Sequence, residues 1–281
     1  MSVVPFKALR CPLDGAPLSR VDGGWRCPQG HSFDVSRQGH VNLLPVQNKR
    51  SRDPGDSKLM IAARRRFLEA GHYQAIAGAV SRRILAHAPE RTPLAVLDAG
   101  CGEGYYLRAL AGVNDGGREL AVLGLDISRW AVQAAAGQDK RMAWVVGSNA
   151  ALPVPDQSLD VVLCMFGFPT PAEFARVLKP GGLLLEIEAG PDHLRELREI
   201  IYPTLKAPRD MSSAPADGFH AGGSETVRET CRLGQRDEIE DLLVMTPHLY
   251  RASAEGRERA LALEQLDITL DVHLKASLRN G

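Results

Sequence analysis

No apolar run in the chain reaches eighteen residues, so nothing in it reads as a membrane-spanning helix. Residues 1–10 lack the apolar core of a secretory signal, and the expectation is a cytoplasmic protein with no membrane partner. Cysteine is scarce and odd in number, five in 281 residues, which argues against a disulfide framework. Net charge is also missing: 34 basic residues balance 34 acidic ones. The molecule is therefore no polycation, and any nucleic-acid site must be a local patch. There is no internal repeat. What is present is ordinary for a globular protein, 44% hydrophobic and 24% charged. The length suffices for one large domain with a full core and a small second one.

The most informative segment is 94–104, Leu-Ala-Val-Leu-Asp-Ala-Gly-Cys-Gly-Glu-Gly. An apolar run ends in Asp98, glycines follow at Gly100, Gly102 and Gly104, and Tyr105 opens a helical pattern through Leu107 and Leu110. This reads as a buried strand, a tight loop and a helix. The G-x-G-x-x-G spacing of nicotinamide enzymes is absent. Asp98 would repel a pyrophosphate, but it can orient a cationic or amine-bearing ligand through the loop. A second apolar strand ends in Asp126, 22 residues after Gly104. A carboxylate there can accept from both ribose hydroxyls of a nucleoside cofactor. The combination resembles motif I of the S-adenosylmethionine-dependent methyltransferases.

Strands are expected at 94–98, 121–126, 142–147, 159–165 and 183–188, and helices at 104–112, 128–136, 171–178 and 192–201. Such alternation predicts an α/β fold, a mostly parallel Rossmann-like sheet with helices on both faces. Lys179-Pro-Gly-Gly182 reads as a helix stop and turn, and the Pro/Gly/Ser/Ala-rich stretch 203–223 as a loop. Strands near 225–233 and at 266–274, around a helix at 236–245, would form an antiparallel edge. The boundaries are drawn at 1–45 for a small N-terminal unit, 46–92 for a basic linker with helices, and 93–281 for the catalytic domain.

Within 1–45, Cys11-Pro-Leu-Asp14 and Cys27-Pro-Gln-Gly-His31 have the layout of a zinc knuckle, two ligand turns joined by a hairpin. A unit this small has little core of its own and benefits from a metal staple. Asp14 stands where a cysteine would be expected, so the set is Cys11, Asp14, Cys27 and His31, a harder site than one with three thiolates. The alternative is a metal-free knuckle held by Trp25, Phe33 and Val35. Residues 37–66 hold eight basic and two acidic residues, including the contiguous Arg64, Arg65 and Arg66. They read either as phosphate contacts for structured RNA or as a solvated charged face.

Taken together, the chain resembles the ribosomal-RNA large-subunit methyltransferase A family, guanine-N1 methyltransferases of 23S rRNA. The segments that carry the resemblance are Gly39-His-Val-Asn-Leu-Leu-Pro-Val-Gln, Lys49-Arg-Ser-Arg-Asp-Pro-Gly-Asp56 and Phe67-Leu-Glu-Ala-Gly-His-Tyr73. The glycine loop, Leu178-Lys-Pro-Gly-Gly182 and Gly190-Pro-Asp-His-Leu-Arg-Glu-Leu197 add to it. The resemblance implies methylation of N1 of a guanine in a 23S rRNA hairpin, with S-adenosylmethionine as cofactor and a zinc-binding N-terminal RNA-recognition domain; the sequence does not fix the oligomeric state, although a homodimer could form a cleft wide enough for such a hairpin. It implies a cofactor site of Tyr73, Asp98, Gly100, Gly102, Glu103, Gly104, Asp126, Ser148, Asn149 and His193. His193 and Asp160 are the candidate bases for the N1 proton, and Phe166 and Phe168 the candidates for stacking on the target base. Two other readings stay open: a small-molecule methyltransferase of the quinone or lipid type, and a non-catalytic rRNA-binding relative.

Overall fold

The computed structural model describes residues 2–48, 51–87, 93–113, 117–205 and 214–281. The N-terminal segment contains β1 (Ser2–Pro5), β2 (Ser19–Val21), β3 (Gly24–Arg26), β4 (Ser32–Asp34) and β5 (Val41–Asn42). Helices α1 (Lys58–Glu69) and α2 (Gln74–His87) follow. Ser57 opens α1 by accepting from the Met60 amide, as an N-cap residue should. The alternating part comprises β6 (Leu94–Ala99), α3 (Tyr105–Gly112), β7 (Glu119–Asp126), α4 (Arg129–Gln138), β8 (Ala143–Val146), β9 (Leu159–Met165), α5 (Pro171–Val177), β10 (Leu178–Ala189) and α6 (Arg195–Ile201). The tail is β11 (Phe219–Leu233), α7 (Arg236–Met245), α8 (His248–Arg251), α9 (Ala254–Leu261) and β12 (Leu266–Arg279).

The main sheet runs β11-β12-β10-β9-β6-β7-β8-β5. β6 to β10 are parallel, and β12 lies antiparallel between β10 and β11, which gives the expected antiparallel edge. This is the class I methyltransferase fold. Strand order reverses at β6, whose neighbours are β7 and β9, so a ligand crevice opens beyond the carboxyl ends of β6 and β7.

The faces are covered differently from the expectation. One face packs on α1 to α4, α6, α7 and α9 through Val96, Val122, Leu163 and Leu185. The other, through Leu97, Leu123, Val162 and Leu184, meets only α5 among the helices of the described residues; much of the rest of its cover is the N-terminal segment, through Phe6, Leu9, Leu18 and Leu43, with Leu152 and Val154 beside it. Each such side chain taken from water is worth about 1.5–3 kcal/mol. The N-terminal unit is thus held by packing as well as by any metal. It is also spliced into the sheet: β1 pairs with β7 at residues 119–122, and β5 pairs with β8.

Three further differences have local causes. Lys179-Pro-Gly-Gly182 is a bulge inside β10, with a register shift between Leu178 and Leu183 and Gly181 at φ 74°. β11 begins at Phe219, inside the stretch read as a loop, because β12 extends to Arg279 and supplies its partners; residues 206–213 of that stretch lie outside the described residues. α8 and α9 carry too few apolar positions to stand out by periodicity. No helix of the described residues is long and apolar enough to cross a membrane.

Candidate active site and metal centre

The loop after β6 is clamped to β7: the amides of Gly100 and Cys101 both donate to the Leu125 carbonyl, at 2.8 and 2.9 Å. Gly104 has φ 83°, and a Cβ there would lie 2.5 Å from Cη2 of Trp144, so only glycine fits. Asp126 is fixed by two backbone donors, Gly102 to Oδ2 at 2.9 Å and Ser128 to Oδ1 at 2.8 Å, and each oxygen keeps acceptor capacity. Asp98 is fully buried, and neither of its oxygens has a hydrogen-bond partner among the described residues. Burial first, then the charges of Asp126 and Glu103, push its carboxyl well above the usual range. A buried orphan acceptor beside a ribose-type carboxylate fits a nucleoside ligand that carries an ammonium group, and S-adenosylmethionine has both parts. Asn149 donates to the Ala99 carbonyl at 3.2 Å, which sets Ser148 and Asn149 at the same end of the sheet. Glu103 is turned away: its carboxylate binds Arg108 at 2.8 Å and Gln138 at 3.1 Å, so it supports the loop rather than a ligand.

Tyr73 and His193 meet as a pair, Oη to Nε2 at 3.2 Å. Nδ1 of His193 accepts the Asp271 amide at 3.3 Å, so the ring proton belongs on Nε2, where it is donated to Tyr73. The Tyr73 hydroxyl proton is then free for a ligand. Burial pushes the imidazole down to about 4. With both nitrogens engaged, His193 holds Tyr73 and is not a free base. Phe166 stacks on His193 with ring centroids 5.8 Å apart and 22° between planes. Strand alternation would point Phe166 to the opposite face, because Leu163 and Met165 belong to the helix-side core and Cys164 to the other. Its φ of 49° turns it back. Such a conformation costs about 1–3 kcal/mol in a bulky residue, a kind of strain that clusters at functional sites. Phe168 is 90% exposed beyond it.

Asp160 is not brought to the site. It lies at the start of β9, the opposite end of the sheet from the glycine loop, accepting from the Ala95 amide at 2.9 Å and from Lys179 at 2.8 Å. It is a buried structural ion pair and is withdrawn as a candidate base.

The four knuckle residues converge: their ligand atoms all lie within 4.8 Å of one another. Nδ1 of His31 is 3.5 Å from Sγ of Cys11, 3.4 Å from Sγ of Cys27 and 2.9 Å from Oδ2 of Asp14. Bonds of about 2.0–2.3 Å to a tetrahedral zinc give ligand separations of roughly 3.3–3.8 Å; both Cys–His separations fall there and the His31–Asp14 one is shorter, so the set is compatible with zinc, with Asp14 as the fourth donor. The Ala16 amide, on Oδ1 at 2.9 Å, leads the influences that hold the Asp14 carboxyl down at about 2, ionised as a ligand must be. The expected knuckle, aspartate included, is assembled.

The three contiguous arginines of the basic run are engaged within the fold. Arg64 pairs with Asp56 at 2.6 Å, Arg65 with Glu69 at 2.9 Å, and Arg66 with Asp241. Lys49 and Arg50 lie outside the described residues. Sequence reasoning missed that residues 51–57 strap the cofactor end of the sheet. Asp56 accepts the Ser128 hydroxyl through its carbonyl at 2.7 Å, and Asp53 pairs with Arg129 at 2.9 Å. The two acids set in the basic run were the available signal.

Comparison with known proteins follows this division. Residues 9–52 match the model for the zinc ribbon described as RlmA, N-terminal, and residues 96–182 match a methyltransferase domain. A 23S rRNA (guanine(748)-N(1))-methyltransferase of Streptomyces fradiae is 35% identical over 264 residues, 90% of each chain. The protein named "Putative 23S rRNA (guanine-N(1)-)-methyltransferase YxjB" of Bacillus subtilis (strain 168) is 30% identical over 282 residues, 98% of this chain and 99% of its own. A malonyl-[acyl-carrier protein] O-methyltransferase of Coxiella burnetii is 39% identical, but over only 112 residues, 37% of each chain.

Proposed function

Since the chain belongs to the family of 23S rRNA (guanine-N(1))-methyltransferases, we propose that it methylates N1 of a guanine in a hairpin of 23S rRNA, using S-adenosylmethionine. The observation that carries this reading is the coupling, in one molecule, of the zinc ribbon to a site with an orphan Asp98, a fixed Asp126 and the Tyr73–His193–Phe166 stack. Likeness to a malonyl-[acyl-carrier protein] O-methyltransferase covers 37% of the chain, whereas likeness to the rRNA methyltransferases covers 90% or more. That disfavours a small-molecule substrate.

The cofactor supplies an already activated methyl group, so alignment does most of the catalytic work. Asp126 would hold the ribose, Asp98 would take the ammonium, and Ser148 and Asn149 would be the residues nearest the adenine. Tyr73, held by His193, aligns the methionine end. Phe166 offers a ring face for the extracted guanine, and the exposed Phe168 guards the mouth. The ribbon is the part that reads RNA: it presents Arg20 over the ring of Trp25, 5.5 Å from its centroid, a surface suited to stacking and phosphate contact. A groove of about 300 Å³ runs between Pro12–Leu13 of the ribbon and Ser148–Pro153 of the catalytic domain. In this reading the enzyme is a homodimer, whose two copies frame a cleft wide enough for a stem.

The test is to incubate the purified chain with 23S rRNA and cofactor and analyse the nucleosides by mass spectrometry, with primer extension to map the stop. One new N1-methylguanosine in a hairpin loop is expected. Methyl transfer to small acids or quinones but not to rRNA would sink the reading. Light scattering that gives a monomer with full activity would remove the dimer from it.

A further inference from the structure

Arg64 reaches from α1 over the glycine loop. A Cβ on Gly102 would stand 3.5 Å from its Nη1. Its Nη2 makes both of its bonds, to Asp56 at 2.6 Å and to the Met245 carbonyl at 3.0 Å. The Nη1–Nε edge is left facing the site. The guanidinium also acts electrostatically on Tyr73, Tyr106 and Asp126, where burial is the larger influence in each case. It therefore stands near enough to the tyrosines and to Asp126 to act on a ligand bound at the glycine loop. Asp56 is itself immobilised, since Gly55 is packed against Ile127 and Ser128 so closely that a Cβ would come within 2.9 Å of both.

Asp98 and Asp126 account for the ammonium and the ribose of a nucleoside amino acid. Its carboxylate still needs a cation, and two buried acids would repel it. An arginine with one edge tethered and the other free presents a planar fork suited to a carboxylate, already oriented before the ligand arrives. We propose that Arg64, held by Asp56, receives the methionine carboxylate of the cofactor, and thereby selects carboxylate-bearing nucleosides over decarboxylated ones. The proposal rests on the cofactor reading above and adds a residue that this reading does not use.

The experiment is calorimetric titration of the full-length, zinc-loaded chain and its variants with S-adenosylmethionine and with decarboxylated S-adenosylmethionine, which keeps the sulfonium and the ammonium. A charge-assisted contact of this kind corresponds to roughly 10- to 150-fold in affinity. Wild type is expected to prefer the carboxylate form by about that factor. Arg64→Gln should lose the preference by weakening only the carboxylate form, with the decarboxylated compound bound within about twofold of wild type. Arg64→Lys, which keeps the charge without the fork, should retain part of the preference; it also serves if Arg64→Gln does not fold, as judged by its melting curve. A wild type that binds both compounds equally, or an Arg64→Gln that weakens both alike, overturns the proposal and leaves the cofactor reading standing. A wild type that binds neither removes both.

Discussion

Replacing Asp98 by asparagine should make the free protein more stable and a poorer binder. The side chain is fully buried, and both oxygens lack partners. Leaving one buried acceptor unsatisfied costs about 1–3 kcal/mol, and more when it is charged. The isosteric amide removes the charge without opening a cavity, so a gain of about 1–3 kcal/mol at neutral pH is expected. At roughly 2–4 °C per kcal/mol for a chain of this size, that is a rise of about 2–12 °C in Tm. The pH dependence has a definite sign. The native carboxyl is raised above its ordinary 3.8, so the folded state binds the extra proton. This group's stabilising contribution is complete below 3.8 and is lost as pH rises through the raised native value. The advantage of Asp98→Asn should thus be small near pH 4 and grow to a plateau at higher pH. Cofactor affinity should fall by roughly 10- to 150-fold, the worth of one charge-assisted bond to an ammonium. Scanning calorimetry of the free protein from pH 4 to 8, with titration of the cofactor, measures both. An asparagine variant that melts below wild type at every pH, or that binds the cofactor equally well, would refute the reasoning.

Other expectations follow from the same geometry. His193→Gln should reduce kcat/KM about tenfold without changing the pH–rate profile between pH 6 and 8, because the imidazole, lowered to about 4, does not titrate there; loss of a limb in that window would restore it as the base. Phe166→Gly should relieve the left-handed backbone and stabilise the chain by about 1 kcal/mol while lowering kcat on rRNA, with cofactor affinity unchanged; a destabilised variant would mean the ring's packing outweighs its strain. Asp14→Ala should strip zinc, read by elemental analysis, and Asp14→Cys should hold it more tightly against a chelator. Equal metal content in all three proteins would remove Asp14 from the ligand set. Gly104→Ala, with its Cβ driven into Trp144 at 2.5 Å and a positive φ, should cost about 3 kcal/mol in urea unfolding; a cost under 1 kcal/mol would show that the loop gives way.

The parallel strands, the glycine loop and the knuckle were legible because each carries a local signature: a continuous apolar run, a glycine spacing, two Cys-Pro turns. Asp98 and Asp126 were legible because they end such runs. Asp160 was misread because sequence marks a carboxylate next to a strand without telling which end of the sheet it occupies; pairing with Lys179 decides that. Glu103 sits inside the motif yet turns away from the ligand site to a buried pair with Arg108, a direction that only the helix start fixes. Arg64 to Arg66 looked like one charged stripe. Their partners, Asp56, Glu69 and Asp241, lie as far as 175 residues away in the chain. The cover of one sheet face by the N-terminal segment was likewise out of reach, since strands of two to four residues leave no periodicity to read.

The seam between β1 and β7 sets an order of events during synthesis. Ser2–Pro5 pairs with residues 119–122, so this strand leaves the ribosome more than a hundred residues before its edge exists. The knuckle needs nothing beyond His31 to close its ligand set. The ribbon can therefore take up its metal as a local, early-forming unit and hold the N-terminus in a defined shape, while the strand that will accept it is still being made.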